Sequence, residues 1–472
     1  MKKVAIIGGG IAGSSIALHL AQLGVEAELF EARDSLVSGP PFCHLHAGGN
    51  LYREIDDAQC IKLLEQSIDF IKLYPFAIDY RPTVITVPTN DPHKATDLLA
   101  RLEKLQKHYS QLIAQDSSNE LLGKAEDYYK LYSYEDMQQL SKQDVVAKPS
   151  CADEWMIPVA KYVNLQKLQY PIVMVQEYGI NMFRVASMNE LALQQMPTLK
   201  LHLQSKVVDI KCIEDTFYVT FKDNEEIRTC EYDYLINATG FQTGTIDDML
   251  NLHIDRMVEF KSAYVTKWQD APALFPEIIF HGQRGTPNGM GQFTPYMSKH
   301  FQLHGMSKDI TLFEDGLVAS TPESSQPKLP SHLLHKIEYS WQEDEVESRT
   351  NKAIEHISKF IPSFDSAKVA SIPLFGAQQI PGKDPELRVA EVSFDIRRYA
   401  RCEIVKVSSV TDMCDAIIED MKKYDIISKD TQASKYIDTF AHIDANTLDE
   451  LSKQIAQNRG YPADMSCIIN PN

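Results

Sequence analysis

Residues 4–31 constrain what this chain can fold into more than any other stretch. Val4 to Ile7 is a short apolar run of the kind that forms a buried parallel strand. Gly8-Gly9-Gly10-Ile11-Ala12-Gly13 follows at once. Ile11, Ile16-Ala17, Leu20 and Leu23 then recur at helical spacing, with Gly24 as the stop. Ala27 to Glu31 reads as a second strand ending in an acid. Each part has a physical task. Gly8 permits the tight turn, Gly10 lets a diphosphate approach the backbone, and Gly13 lets the helix pack closely on the strand. The first helical turn, with Ile11 and Ala12, offers free N–H groups and the positive end of the helix dipole. Glu31, with Ala32 beside it, stands where a carboxylate accepts hydrogen bonds from a ribose diol. The expectation is a dinucleotide site.

The rest of the composition narrows the class. A length of 472 residues suits two domains rather than one simple core. The formal net charge of -18 argues against nucleic acid and anionic membrane as general partners, though a local basic pocket for an acidic small molecule stays open. The cysteines are scattered, with no CxxC pair and no zinc spacing, so neither a disulfide framework nor a metal site is expected. Lys2-Lys3 followed by apolar residues resembles the start of a signal peptide, but the glycines interrupt the run early. There is no apolar stretch long enough for a membrane span. These readings predict a cytoplasmic protein.

A second segment specifies the dinucleotide. Lys206 to Ile210 and Phe217 to Phe221 read as strands, with Asp223-Asn224 as a turn. Tyr234-Leu235-Ile236-Asn237-Ala238-Thr239-Gly240 is an apolar strand ending in small residues. This resembles the second FAD signature of the two-dinucleotide-fold flavoproteins, in which Ala238, Thr239 and Gly240 would let the loop pass close to the cofactor. By that resemblance the backbone of Val207 lies beside the adenine. Taken alone, Ala238-Thr239-Gly240 could equally be an ordinary strand-to-loop turn.

The whole arrangement resembles the D-amino-acid-oxidase-like superfamily of FAD-dependent oxidoreductases, with features like malate:quinone oxidoreductase. The resemblance is specific over residues 1–53 and 171–244. Ser38 to Asn50 sits where that family carries a small-residue loop beside the flavin. His46-Ala47-Gly48 matches a setting in which some members attach the flavin covalently to histidine; the alternative is a loop histidine that bonds to backbone or cofactor. Ile172 to Gln176 reads as a strand, Tyr178 to Asn181 as a turn, and Met182 to Gln195 as a helix. The family's C-terminal return to the flavin falls on Ser371–Gly382, Arg388–Phe394 and Tyr399–Val407. A helix Val410–Lys422 follows, its front amides and Ser408-Ser409 facing the flavin. The family generally has glycines where this chain has Val407-Ser408-Ser409, so Ser409 could also be a helix cap.

The resemblance implies an α/β fold: a Rossmann-type FAD-binding domain (1–75, 165–250 and 365–425) with a discontinuous α+β substrate domain (76–164 and 251–364). A C-terminal helical extension (426–472) completes the chain. Within it, residues 447–457 read as a helix with Asn446 as cap and Gly460 as stop. Residues 93–142 and 337–361 read as mostly helical, and 256–268 and 274–313 as strands with loops.

The segment from His281 to Tyr296 is rich in glycine and in hydrogen-bonding groups, as a substrate-facing loop would be. Arg284 can clamp a carboxylate bidentately or form a structural salt bridge. His281 and His304 can each serve as base or be satisfied structural histidines. Tyr296 can close over the flavin or belong to the core. Arg397-Arg398-Tyr399-Ala400-Arg401 reads as a solvated loop, with anion binding as the alternative. No second dinucleotide fingerprint follows the first, so electrons are expected from the substrate itself. The leading expectation is an FAD-dependent oxidase or dehydrogenase that oxidises a small amine or 2-hydroxy acid, carboxylate-bearing substrates included, by hydride transfer to the flavin. The electron acceptor is not specified. A flavin monooxygenase using NAD(P)H and a catalytically silent flavin-binding protein are the alternatives.

Overall fold

The computed structural model describes residues 2–50, 52, 53, 55–223, 226–432 and 434–470. Asn224, half of the expected turn, lies outside them. Strand β1 (Lys3–Ile7), helix α1 (Ile11–Gln22) and strand β2 (Glu26–Phe30) form the expected unit. Its sheet has 6 strands, with Tyr234–Asn237 beside β1, Tyr399–Cys402 beyond that, and Leu199–His202 outside β2. All four of these pairings are parallel; only the edge strand Val392–Ser393 runs antiparallel. Parallel strands buried on both faces must be apolar throughout, and Val4, Ala5, Ile6, Leu235 and Ile236 have no exposed surface.

Helices Met182–Leu193, Val410–Lys423 and Ala445–Asn458 join α1 in covering this sheet. An antiparallel meander, Ser205–Ile213, Thr216–Asp223 and Glu226–Tyr232, packs on the other side around Val207, Phe217 and Phe221. A second, larger sheet of 10 strands is built around Arg256–Lys267, which pairs with His300–Gly305 and with Leu374–Pro381. The chain passes repeatedly between the two sheets. The strands Thr83–Thr86 and Ile172–Val175 belong to the larger one, although they bracket segments of the nucleotide side.

Several local expectations are corrected. Gly179–Asn181 is not a turn but the central strand of a small sheet with Phe42–His44 and Ile78–Asp79. Residues 337–361 are mostly helical as expected, through Glu343–Ser358, but a separate helix, Ser331–Glu338, begins before that stretch. Residues 93–142 include the strand Tyr129–Tyr132 between the helices Leu99–Gln115 and Tyr134–Leu140. Helix Ala445–Asn458 is capped by Asp444, whose carboxylate accepts from Thr447 N at 2.9 Å; Asn446 is already inside it. Arg401 is not solvated. It is 2% exposed and pairs with Asp247 at 3.0 Å and Glu403 at 2.8 Å.

The C-terminal segment is tied back to the nucleotide side. Arg459 donates to Leu36 O at 2.6 Å and Val37 O at 3.1 Å. Tyr80 N donates to Ile469 O at 2.9 Å, and Ile469 N to Asp79 Oδ1 at 2.7 Å. Among the described residues no helix is long and apolar enough to cross a membrane, and no group of His, Cys, Asp and Glu could hold a metal ion.

Candidate active site

The phosphate end is made of backbone. Gly8 has φ +99°, and a Cβ there would lie 2.5 Å from Ala238 O. A Cβ on Gly13 would lie 1.9 Å from Gly8 O and 3.2 Å from the Ala238 methyl. Small residues are therefore required at 8, 13 and 238, where α1, β1 and the strand Tyr234–Asn237 meet. A Cβ on Gly10 would meet nothing within 4 Å, so the backbone there is open to an approaching group. Gly10 is the N-cap of α1 and offers no side chain, and the amides of Ile11, Ala12 and Gly13 belong to the first turn, which has no intrahelical acceptors.

Glu31, 8% exposed, stands just past β2. It accepts from Gly9 N at 2.7 Å and Arg33 N at 2.8 Å, which fixes the carboxylate beside the glycine turn. Ala32 is exposed next to it. Ser205 N donates to Glu31 O at 2.8 Å and Gln204 N to Arg33 O at 2.8 Å, so the strand carrying Val207 starts against Glu31. Ala238 N donates to Ile7 O at 2.8 Å, and Thr239 Oγ1 to Asn237 Oδ1 at 2.8 Å; Gly240 follows with φ +59°.

The other end is made of loops. His46 has φ +56° and is 9% exposed, and its Nδ1 is buried with no hydrogen-bond partner among the described residues. Burial, followed by Lys406 and His44, pushes its pKa well below the usual histidine value, so the ring is neutral. Ala47 and Gly48 follow in the same loop, held by Tyr128, which donates to Ala47 O at 2.7 Å. Val407–Ser409 forms a 3-10 turn that runs into the helix Val410–Lys423. Ser409 Oγ donates to Gln66 Oε1 at 2.8 Å rather than capping the helix. Ser408 Oγ and Thr411 Oγ1 are buried without partners among the described residues. Buried polar atoms are almost always satisfied, so these mark a place where a polar ligand completes the structure. The backbone opening at Gly10, the fixed carboxylate of Glu31 and these orphaned atoms fit FAD.

Beneath the His46 loop lies a buried charge network that the sequence reading missed. His44 Nε2 lies 2.8 Å from Glu177 and its Nδ1 2.9 Å from Glu277, and Arg81 pairs with Glu277 at 3.0 Å. Burial alone would lower the His44 pKa; the two carboxylates outweigh it and hold it up to about 10. Burial alone would raise Glu277; His44 and Arg81 outweigh it and hold it at about 2. Asn50 Nδ2 donates to Glu177 at 2.7 Å and Gln292 to Glu277 at 2.6 Å. The network joins the flavin-side loop to the larger sheet.

Of the candidate catalytic residues, the structure brings Arg284 and His304 together. Arg284 donates to Glu259, and Lys261, Glu259 and Arg284 are the charged neighbours of His304. His304 is held with Nδ1 2.9 Å from Ser262 O; a carbonyl only accepts, so Nδ1 carries the proton and Nε2 is the basic nitrogen. Burial lowers its pKa to about 4. His281 is buried elsewhere: its charged neighbours are Arg53, Asp91 and His93, and burial lowers it to about 3. Tyr296 is in the apolar core, its hydroxyl 3.1 Å from Gln302 Oε1. Lys261, 3.1 Å from the same Glu259, was also missed from sequence. The signal for Lys261 was present: along Glu259-Phe260-Lys261-Ser262-Ala263-Tyr264-Val265 the face that begins with charges continues as Ala263 and Val265.

Residues 3–147 match the model of the DAO family, described as FAD dependent oxidoreductase. No curated protein sequence gives a significant match. Among solved structures, the chain is similar to glycine oxidase from Geobacillus kaustophilus, at 10% identity over 92% of this chain and 96% of that one, with a TM-score of 0.55. It is similar to L-amino acid deaminase from Proteus vulgaris, at 12% identity over 95% and 96% of the two chains, TM-score 0.57. It is also similar to L-alpha-glycerophosphate oxidase from Mycoplasma pneumoniae, solved with FAD bound, at 14% identity over 89% and 95%, TM-score 0.57. At such identities the structural likeness is one of fold. The family match covers the glycine turn, the Glu31 carboxylate and the His46 loop, and the likeness of fold extends over the rest of the chain, so the N-terminal part is that of an FAD dependent oxidoreductase and the whole has the fold of flavoenzymes such as these.

Proposed function

We propose that the protein oxidises a small amine or 2-hydroxy acid, taking electrons directly from that substrate and without a nicotinamide cofactor. The observation that carries this reading is that Arg284 donates to Glu259 and that both are charged neighbours of the buried His304. FAD, held by the α1 amides, Glu31, Val207, the Ala238 loop, His46 and Ser408-Ser409, supplies a two-electron acceptor. The protein's own part is to bind, orient and deprotonate. Arg284 presents a planar guanidinium that grips a carboxylate through paired hydrogen bonds. His304, neutral at pH 7, takes the proton from the substrate hydroxyl or amine at Nε2. A cytoplasmic location accords with the scattered thiols.

The test is anaerobic mixing of the flavin-loaded protein with single amino acids of both hands and with 2-hydroxy acids, without NAD(P)H. Loss of the flavin absorbance near 450 nm with at least one of them supports the reading. Reduction by NADPH alone, with none of the acids active, overturns it. Arg284→Met is expected to raise KM by about tenfold to a hundredfold, and His304→Gln to lower kcat by about a hundredfold.

A further inference from the structure

The strands Glu277–Phe280 and Gly291–Pro295 of the larger sheet are buried along their whole length, yet their two faces differ. Cross-strand partners share a face, and so do alternate residues along a strand. One face carries Ile278, Phe280, Phe293, Phe301 and Leu303 and belongs to an apolar core cluster. On the other, Gln292 pairs with Ile279 and with His304, and Thr294 pairs with Gln302. Glu277 and His281 flank Ile279 on that same face, and His281 N continues the ladder by donating to Thr86 O at 2.9 Å. This face is turned to the flavin side, because His44, just ahead of the His46 loop, lies 2.9 Å from Glu277. Glu277, His281, Gln292, Thr294 and Gln302 are all buried, which is costly unless their polar atoms are engaged.

Most of them are engaged. Gln292 donates to Glu277 at 2.6 Å, the Tyr296 hydroxyl to Gln302 at 3.1 Å, and His304 to Ser262 O at 2.9 Å. What is left over is Thr294 Oγ1 and both ring nitrogens of His281, buried without partners among the described residues. A threonine hydroxyl rotates to suit its surroundings, whereas an imidazole presents two nitrogens fixed in one plane. Burial holds this ring neutral, with a pKa lowered to about 3, so one nitrogen donates and the other accepts. Among its charged neighbours Arg53 and Asp91 pair with each other at 2.8 Å. An anion only accepts and an ammonium only donates; a hydroxyl or a carboxamide does both.

The strand order gives the direction. From the central strand with Glu259 the sheet runs through the strand of His304 and that of Gln292 to that of His281. Arg284 reaches back to Glu259, so it and His281 lie on opposite sides of His304. Across the sheet and along it, His281 and His304 stand roughly 12 Å apart. Hydrogen-bond reach at both ends leaves roughly 6 Å to be bridged, about the length of a five-carbon chain.

We propose that His281 receives the end of the substrate remote from the reacting carbon, and that this end is an uncharged hydrogen-bonding group, a hydroxyl or a carboxamide. This rests on the proposed oxidation of an amino or hydroxy acid, with its acid group on Arg284 and its reacting carbon at His304. Binding can be read without turnover from the flavin absorbance difference spectrum of the loaded protein, at constant ionic strength. The probes are hexanoate, 6-hydroxyhexanoate, adipamate and adipate. They share one chain, carry no amine or hydroxyl beside the carboxylate, and end in methyl, hydroxyl, carboxamide and carboxylate.

The hydroxyl or the carboxamide probe is expected to bind about tenfold more tightly than hexanoate, and adipate no more tightly than hexanoate. Whichever of the first two binds tighter identifies the group. His281→Leu is expected to reduce that preference to about twofold or less, while the loaded protein melts at or above the wild-type temperature, because two unpartnered buried nitrogens are gone. His281→Gln, which keeps a donor and an acceptor, is expected to retain most of the preference. Equal affinity for the four probes overturns the proposal, as do tightest binding of adipate and a preference that survives His281→Leu. A His281→Leu protein that melts lower and binds hexanoate itself more weakly marks a structural histidine and also overturns it. If the preference is found but no amino or hydroxy acid bleaches the flavin, the subsite stands and the reaction assigned to it falls. If such acids bleach the flavin and the probes bind alike, the reaction stands and the subsite falls.

Discussion

Around Gly8–Gly13 the groups turned toward a ligand are backbone amides and one carboxylate, all within a single run of chain. Around Glu259 they are side-chain charges, Lys261 on the central strand of the larger sheet and Arg284 from the glycine-rich segment. Backbone recognition depends on what is absent: no Cβ at 8 or 13, and nothing larger than a methyl at 238. It therefore tolerates no addition. Side-chain recognition depends on what is present and on how charges balance, so it can be changed one group at a time. The first half suits a cofactor that never varies, and the second, on the function proposed above, would suit a substrate that does.

That contrast can be tested in order of expected effect. Gly13→Val puts a branched side chain where even a Cβ would lie 1.9 Å from Gly8 O. It should abolish flavin retention on gel filtration and cost about 3 kcal/mol or more in urea unfolding. A variant that keeps its flavin would break the comparison outright. His44→Ala, which leaves Glu177 and Glu277 facing each other without their cation, should cost about 3 kcal/mol. Its pH dependence has a definite sign. The folded pKa of about 10 lies above the ordinary 6.5, so the contribution is complete below about pH 6.5 and is lost as pH rises toward 10. The gap between wild-type and His44→Ala urea midpoints should narrow over that range; a constant gap would mean that His44 is not held charged.

Ser408→Ala probes the seam between the two halves. Removing a buried hydroxyl that lacks a protein partner should stabilise the flavin-free protein by about 1 kcal/mol and weaken FAD binding several-fold, opposite effects read by calorimetry and flavin titration. The smallest change is Asp56→Ala. Asp56 caps the helix Asp57–Leu73, accepting from Gln59 N at 2.8 Å. Its loss should cost about 1 kcal/mol and leave flavin retention untouched.

The same contrast explains what could be read from the chain alone. The β1–α1–β2 unit and the strand ending in Ala238-Thr239-Gly240 carry their signals locally, in glycine spacing and apolar runs. Gly179-Ile180-Asn181 looks like a turn by composition, and only its neighbours Phe42–His44 and Ile78–Asp79 make it a strand. The helix Ser331–Glu338 is too short, and too close to the Ser- and Pro-rich stretch before it, for its periodicity to stand out in the sequence. His44, Glu177, Glu277 and Arg81 are separated by long stretches of sequence, and nothing in the local pattern of any one of them announces the others. Arg284 and His304 stood out because they lie in or near a glycine-rich segment. Lys261 did not, since a lysine on a strand ordinarily points to water.

The parallel sheet also has a consequence for how the protein is made. Its strand Tyr399–Cys402 is inserted beside Tyr234–Asn237, and the turn bearing Ser408 follows directly. A ribosome exposes the glycine turn long before it has translated either of these. A nascent chain therefore owns the diphosphate cradle while it still lacks the opposite end of the cofactor's berth. If Ser408 lines the flavin as proposed, loading would await synthesis of nearly the whole polypeptide, and the yield of coloured enzyme from an expressing cell should track the flavin supply at that moment rather than during elongation.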